Sequence, residues 1–208
     1  MSVGEAGGPR GEPGRRDGEL GAAVERAQGG DDAAFEAVYR MVHPRLLGYL
    51  RGLVGNEAED VASEAWLEIA RDLGRFKGDG AGFRGWSATI ARHRALDHLR
   101  RRRSRPVTSA LDPDLLDVPG PDDVYDQTFE VLSTERALRL VSTLPRDQAE
   151  AVLLRVVVGL DGPSAARVLG KRPGAVCSAT SRGLKRLARQ LGAAEETRAE
   201  ALTLRRSI

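Results

Sequence analysis

Residues 32–53, DAAFEAVYRMVHPRLLGYLRGL, decide the fold class. Ala34, Phe35, Val38, Tyr39, Val42, Leu46, Leu47, Leu50 and Leu53 recur at three- and four-residue steps. That is the period of one buried helix face, not the alternation of a strand. Asp31 or Asp32 can cap this helix, with Glu36 in its first turns. Pro44 is expected to kink or divide it, because its ring removes an N–H and crowds the preceding turn. Gly55-Asn56 breaks the pattern. A second amphipathic run follows through Ala58, Val61, Ala62, Ala65, Trp66, Ile69, Ala70 and Leu73, and its opposite face carries Glu57, Glu59, Asp60 and Glu64. After a glycine-rich loop, Gly74 to Gly82, a third helix is expected from near Phe83, with Trp86, Ile90, Ala91, Ala95, Leu96 and Leu99 inward and Pro106 as its stop. No segment shows sustained period-two alternation, so the expectation is an all-α chain.

Further along, residues 107–129 hold Pro113, Pro119 and Pro121 in an acidic stretch and read as a flexible linker. Helical periodicity returns with Val131, Leu132, Ala137, Leu138, Leu140 and Val141. Leu144-Pro145 opens another helix, since proline is favoured in a first turn, with an apolar stripe of Ala149, Val152, Leu153, Val156 and Val157. Gly159-Leu160-Asp161 forms a plausible cap for a short helix through Ala165, Ala166, Val168 and Leu169, which Gly170 ends. Pro173 then opens a final helix carrying Val176, Leu184, Leu187 and Leu191. These last two helices have the length and punctuation of a helix-turn-helix, although an ordinary helical hairpin reads alike. The expected organisation is a disordered tail (1–29), a helical domain (30–106), the linker (107–129), a second helical domain (130–191) and a charged, weakly helical tail (192–208).

The 208 residues carry 32 Lys+Arg against 30 Asp+Glu, a net charge of +2. Position makes that number informative. Arg84 to Arg105 sums to +7, Leu111 to Glu135 to −8, and Lys171 to Arg189 to +6. A single charge run is commonly a solvated face. Two basic blocks within helical patterns point instead to a polyanion partner. No run of 18 apolar residues exists to span a membrane, the N-terminus lacks the apolar stretch of a signal peptide, and one cysteine excludes an internal disulfide framework. The expectation is a soluble cytosolic protein.

Signals of catalysis are scarce. No phosphate-binding G-x-x-x-x-G-K-[ST] pattern occurs. His93 and His98 have the wrong spacing to share a metal on one helix, and His43 has no acidic neighbour in sequence. Cys177 lies in a basic helix that could lower its thiol pKa, but a spectator thiol is the simpler reading. No cofactor or metal is expected. In contrast, Phe76, Phe83 and Trp86 surround a flexible glycine loop beside an arginine-rich helix. Aromatic faces next to cations suit unstacked bases; for Trp66 and Trp86, at helical spacing, core is the better reading, while Phe83 and the loop keep the functional one. In the helix-turn-helix reading, Arg172, Ala175, Val176 and Ser178 near the start of the second helix would face base edges. Arg182, Lys185 and Arg186 would reach phosphates.

Two stretches carry a family resemblance. Asp32-Ala-Ala-Phe-Glu-Ala-Val-Tyr-Arg, Glu59-Asp-Val-Ala-Ser-Glu-Ala-Trp-Leu, Phe83-Arg-Gly-Trp86 and Ile90-Ala-Arg-His-Arg-Ala-Leu-Asp-His-Leu-Arg-Arg-Arg-Arg resemble region 2 of extracytoplasmic-function (ECF) sigma factors. Leu144-Pro-Arg-Asp-Gln-Ala-Glu-Ala-Val-Leu-Leu-Arg, with Val168-Leu169-Gly170, Gly174, Val176, Ser178 and Leu184-Lys-Arg-Leu187, is similar to region 4. The resemblance implies a transcription initiation factor without catalytic residues. It implies that Glu59, Asp60, Ser63 and Glu64 meet the β′ clamp helices of core RNA polymerase. Phe76, Lys77, Phe83, Arg84, Trp86, Arg92, His93, Arg100 and Arg101 would bind the unpaired minus-ten element. Arg172, Pro173, Ala175, Val176, Ser178, Arg182, Lys185 and Arg186 would bind the minus-thirty-five duplex, with a further contact to the β flap. An anti-sigma protein is the implied regulator. Ser63 replaces a common glutamine, and Cys177-Ser178-Ala179-Thr180 departs from the basic residue, Ser, Arg and Leu frequent in relatives.

Overall fold

The computed structural model describes residues 11–104 and 136–206, and among them no strand occurs. The linker expected at 107–129 lies outside the described residues. Helix α1 spans Gly11–Gln28, α2 Asp32–Val54, α3 Ala58–Asp72 and α4 Gly80–Ser104. In the second half, α5 covers residues 136–142. Helix α6 is Arg146–Val152, followed by a π-helical turn at Leu153–Val157. Helices α7 and α8 are Gly162–Leu169 and Pro173–Arg206.

Several expectations need correction. The tail expected to be disordered through residue 29 is a helix from Gly11. Leu20, Ala23 and Val24 bury one side of α1 against α2 and α4, so tertiary packing overrides the poor helix propensity of its four glycines. Helix α2 runs unbroken through Pro44, its start held by the Asp31 carboxylate accepting from the Ala34 amide at 3.0 Å. Burial along both flanks of Pro44, at Val38, Val42, Leu46 and Leu50, outweighs the one helical bond proline forfeits. Helix α4 begins at Gly80 rather than near Phe83, because Asp79 caps it, its Oδ1 accepting from the Gly82 amide at 2.7 Å. Finally, α8 continues past residue 191 to Arg206, and Leu184 and Leu191 on it are exposed.

Helices α1 to α4 surround one core of Val38, Leu46, Tyr49, Leu50, Val61, Ile69 and Phe83. Leu153, Leu154, Val158, Leu160, Ala165 and Val176 form the core of the second half and extend it without a break. The joint has a specific shape. A Cβ added at Gly52 would meet Leu153 Cδ1 at 2.6 Å, and one at Gly48 would meet Val157 Cγ1 at 3.0 Å. One turn apart on α2, these glycines make a groove that receives the π turn. The i→i+5 register there is closed by the Val158 amide donating to the Leu153 carbonyl. The same turn leaves Val156, expected in the buried stripe, 60% exposed.

Candidate nucleic-acid interface

The loop between α3 and α4 is built around one aromatic ring. After a 3₁₀ turn at Leu73–Arg75, Phe76 turns the chain into extended backbone. Its ring folds over Gly78, whose φ of 154° suits glycine and where an added Cβ would lie 3.0 Å from the ring tip. Phe76 then meets Phe83 edge-on at 5.3 Å and Trp86 at a tilt, 5.2 Å between centroids. Phe83 and Trp86 lie 5.5 Å apart. The three rings differ in access. Phe83 is fully buried, so it supports the platform from beneath and offers no face of its own. Phe76 and Trp86 are half-buried, and Lys77 is exposed beside them. Arg75, Phe76, Lys77, Gly82, Gly85, Trp86 and Thr89 line one side of a groove of about 380 Å³. Ser164, Arg167 and Val168 of α7 line the other. A half-exposed aromatic pair rimmed by cations, with glycines admitting close approach, is chemically suited to a planar, anionic-backboned ligand.

Along α4, acid from α3 meets arginine. Glu68 accepts from Arg94 Nε at 2.6 Å, and Glu64 from Arg101 at 3.1 Å. Glu57 accepts from Arg102 at 3.2 Å and lies 2.9 Å from His98 Nε2. The His98 hydrogen bond, ahead of the charge of Arg102, holds the Glu57 carboxyl below the usual carboxylate range. Thus Glu64 and Arg101, expected in two different interfaces, are partners of each other. Being exposed, such a pair is worth about 0–1 kcal/mol and separates readily for a competing partner. Arg100 pairs with Asp97 at 2.8 Å, and His93 is exposed. Arg84, expected at DNA, is instead turned to α1, 2.7 Å from Asp17.

The outward face of α3 carries Glu59, Asp60 and Ser63, all exposed, with Ser63 Oγ donating to the Glu59 carbonyl at 2.9 Å. Glu59 also accepts from Arg51 at 2.9 Å. Sequence reading missed Leu67, which is 74% exposed one turn beyond Ser63. An apolar periodicity search counts Leu67 as one more helix residue, and only the stripe defined by Val61, Ala65 and Ile69 shows that it points away from the core. Nearby, Trp66 Nε1 donates to His43 Nδ1 at 3.2 Å, and Tyr39 stacks on the His43 ring at 4.5 Å. Burial lowers the His43 pKa, keeping that acceptor neutral near pH 7.

In the second half, Asp161 caps α7, accepting from the Ser164 amide at 2.7 Å, and Gly170 ends it in the left-handed conformation, φ 63°. Helix α8 starts after this short turn and packs on α6 through Gly183, where a Cβ would lie 2.8 Å from Val152 Cγ2. Its first turns sort cleanly by face. Val176 and Ala179 are buried, so Val176 belongs to the core and not to the exposed face on which it was expected. Arg172, Pro173, Ala175, Ser178, Arg182, Lys185 and Arg186 are all exposed, and Cys177 lies with them.

Arg92 joins the two halves. Its Nε donates to Glu150 Oε2 at 2.8 Å, while Arg146 Nε donates to Glu150 Oε1 at 2.9 Å. Glu150 is only 4% exposed, so its charge is met by two guanidiniums where water cannot reach it. Arg92 is therefore engaged by α6 in this arrangement, and α7 stands over the loop carrying Phe76 and Lys77. Among the described residues, no group of three potential metal ligands converges, and no helix is long and apolar enough to cross a membrane.

Residues 38–105 match the family model described as Sigma-70 region 2, and residues 134–187 match that described as Sigma-70, region 4. The ECF RNA polymerase sigma factor ShbA of Streptomyces griseus is 33% identical over 177 residues, 81% of this chain and 93% of that protein. BldN of Streptomyces coelicolor, also an ECF RNA polymerase sigma factor, is 36% identical over 171 residues; the match spans 81% of this chain and 64% of BldN. Among solved structures, the sigma factor RpoE from Bartonella quintana, in complex with the anti-sigma factor NepR, superposes with a TM-score of 0.59 at 22% identity. That match covers 76% of this chain and 96% of RpoE and is a likeness of fold. With both sigma-70 modules present in order on an all-α scaffold, the chain belongs to the ECF family of RNA polymerase sigma factors.

Proposed function

We propose that this chain directs core RNA polymerase to a subset of promoters through three separate surfaces. The outward face of α3, with Glu59, Asp60, Ser63, Glu64 and the apolar Leu67, docks on the β′ clamp helices. The Phe76–Lys77 loop with Trp86 captures an unpaired base of the minus-ten strand, and His93, Arg100 and Arg101 follow its phosphates. The start of α8 reads the minus-thirty-five duplex, with Arg172, Ala175 and Ser178 toward base edges and Arg182, Lys185 and Arg186 toward phosphates. The polymerase carries out the chemistry.

The observation that carries this reading is the groove beside Phe76 and Trp86, two accessible ring faces rimmed by Arg75, Lys77 and Arg167. A base taken from a duplex loses stacking worth a few kcal/mol. Stacking on an aromatic side chain returns about 1–3 kcal/mol per base. The two are of one size, so duplex DNA is opened only where other contacts add to the balance. Polymerase and the region 4 module supply them. An anti-sigma factor is the expected regulator, by similarity to the RpoE complex with NepR.

Two variants separate the surfaces. Phe76→Ala combined with Lys77→Ala should lower promoter opening about tenfold or more while core-polymerase affinity stays unchanged, measured by strand-opening fluorescence and by equilibrium binding. Asp60→Lys combined with Leu67→Glu should do the reverse. If the loop variant instead loses core binding, the surfaces have been assigned the wrong way round.

A further inference from the structure

Helix α1 lies before the segment that matches region 2, yet it makes three contacts with the base-capturing loop and the first turns of α4 that follow it. Near its start, Asp17 Oδ1 stands 2.7 Å from Arg84 Nη1, and both side chains are largely buried. One turn on, the backbone of Gly21 meets Gly80, the first residue of α4. A Cβ on Gly80 would lie 2.1 Å from the Asp17 carbonyl oxygen and 2.9 Å from the Gly21 amide nitrogen. At the end of α1, the side-chain amide of Gln28 donates to the Leu73 carbonyl at 2.9 Å and to the Phe76 carbonyl at 2.8 Å. Positions 17, 21 and 28 fall within about 40° of one another at 3.6 residues per turn, so a single stripe of α1 makes all three contacts. That stripe runs beside the apolar one of Leu20, Val24 and Ala27, which fixes α1 to the core.

The consequences for the loop are specific. Leu73 and Phe76 are the two ends of the 3₁₀ turn, and the Phe76 amide already donates to the Leu73 carbonyl at 3.1 Å. Gln28 adds one donor to each end, so the turn carrying the half-buried ring of Phe76 is clamped from behind. At its far end the loop is held by Asp79 capping α4 and by the Gly21–Gly80 contact. A stacking platform gains from being fixed before the base arrives, because ordering it at that moment would subtract from binding.

We propose that α1 is the strut of the minus-ten reader and that Gln28 is a positioning residue for promoter opening, acting through the Phe76 backbone without touching DNA. The proposal rests on the reading that Phe76 stacks a promoter base. It goes beyond that reading in assigning a role to a helix outside the matched family segment.

The test uses the full chain bound to core polymerase and a pool of promoter-length duplexes with a randomised unpaired bubble, the captured strands being sequenced. Gln28→Glu keeps size and shape but sets a carboxylate against two carbonyl oxygens. It should lower enrichment of the preferred bubble sequences about tenfold, the loss of two hydrogen bonds. Core-polymerase affinity should match the wild type, the melting temperature should fall by no more than about a few degrees, and hydrogen exchange of the Phe76 and Gly82 amides should quicken. Gln28→Leu, which lacks the repulsion, should fall between. Phe76→Ala is run in parallel. If Phe76→Ala abolishes enrichment and Gln28→Glu leaves it at the wild-type level, the strut is overturned while base capture stands. If Phe76→Ala has no effect, base capture fails and the strut with it. If Gln28→Glu lowers core affinity to the same extent as enrichment, α1 serves the fold alone and the positioning role is wrong.

Discussion

Glu57 shows how single side chains tune the α3–α4 pair. Its carboxyl is held low, first by the His98 hydrogen bond and then by Arg102. A carboxylate whose folded pKa is depressed adds stability above its unfolded value near 4.5, and loses it as pH falls through the folded one. Glu57→Gln should therefore lower stability at pH 7, and the difference from wild type should vanish in strongly acidic solution. Paired denaturation curves at several pH values would show it. The side chain is 38% exposed, so the effect belongs with solvent-screened surface pairs and stays below about 1 kcal/mol. Asp161 is a parallel case in the second half, its pKa lowered by hydrogen bonds from the Ser164 side chain and amide. Asp161→Ala removes the cap of α7 and should cost about 1 kcal/mol in urea denaturation.

At the scale of elements, helix packing depends on where glycine permits contact. Gly183→Ala would drive a methyl to within 2.8 Å of Val152 Cγ2. Because α8 carries the face proposed to read duplex DNA, the shift should reach function as well as stability. The expected outcome is a loss of about 1–3 kcal/mol in stability, with weaker binding to minus-thirty-five duplex. The amphipathic helices α2, α3 and α4 were legible in sequence because each buries a long apolar stripe, and the helix-turn-helix because Asp161, Gly170 and Pro173 punctuate it. Helix α1 was not legible. Its buried side is only Leu20, Ala23, Val24 and Ala27 among glycines and charges, and its order comes from contacts with α2 and α4 that no local pattern encodes. For the same reason the sequence locates the aromatic trio but mis-sorts it: Phe83, expected at a base, is buried, and Trp86, expected in the core, is half-buried. Periodicity places Phe83 and Trp86 on one helix, whereas burial of the first and partial exposure of the second depend on how Phe76 folds back. Val176 was misplaced similarly, since one residue of rotation on α8 separates groove from core.

The whole molecule holds its halves together through the Gly48–Gly52 groove and the Arg92–Glu150–Arg146 cluster. Helix α4 lends Arg92 to that joint, and α7 covers part of the aromatic groove. Free Arg92 and an open groove therefore require the halves to part. Breaking a buried pair by removing one member costs about 3–5 kcal/mol, the lower end applying here because Arg92 is partly solvated. Glu150→Ala should accordingly loosen the joint, seen as a larger radius of gyration in small-angle scattering. Glu150→Gln, which keeps one acceptor for Arg92, should expand the molecule less. The segregation of charge along the chain fits this arrangement, with basic blocks on two modules that meet through a buried acid.

The central claim is that two modules, one for unpaired bases and one for duplex, make core polymerase promoter-specific. Run-off transcription from a randomised-promoter pool tests it most directly. Core polymerase with this chain should yield transcripts that converge on a two-element consensus, and the Phe76→Ala, Lys77→Ala variant should lose the downstream element while keeping core binding. Transcripts no different from those of core polymerase alone would contradict the account.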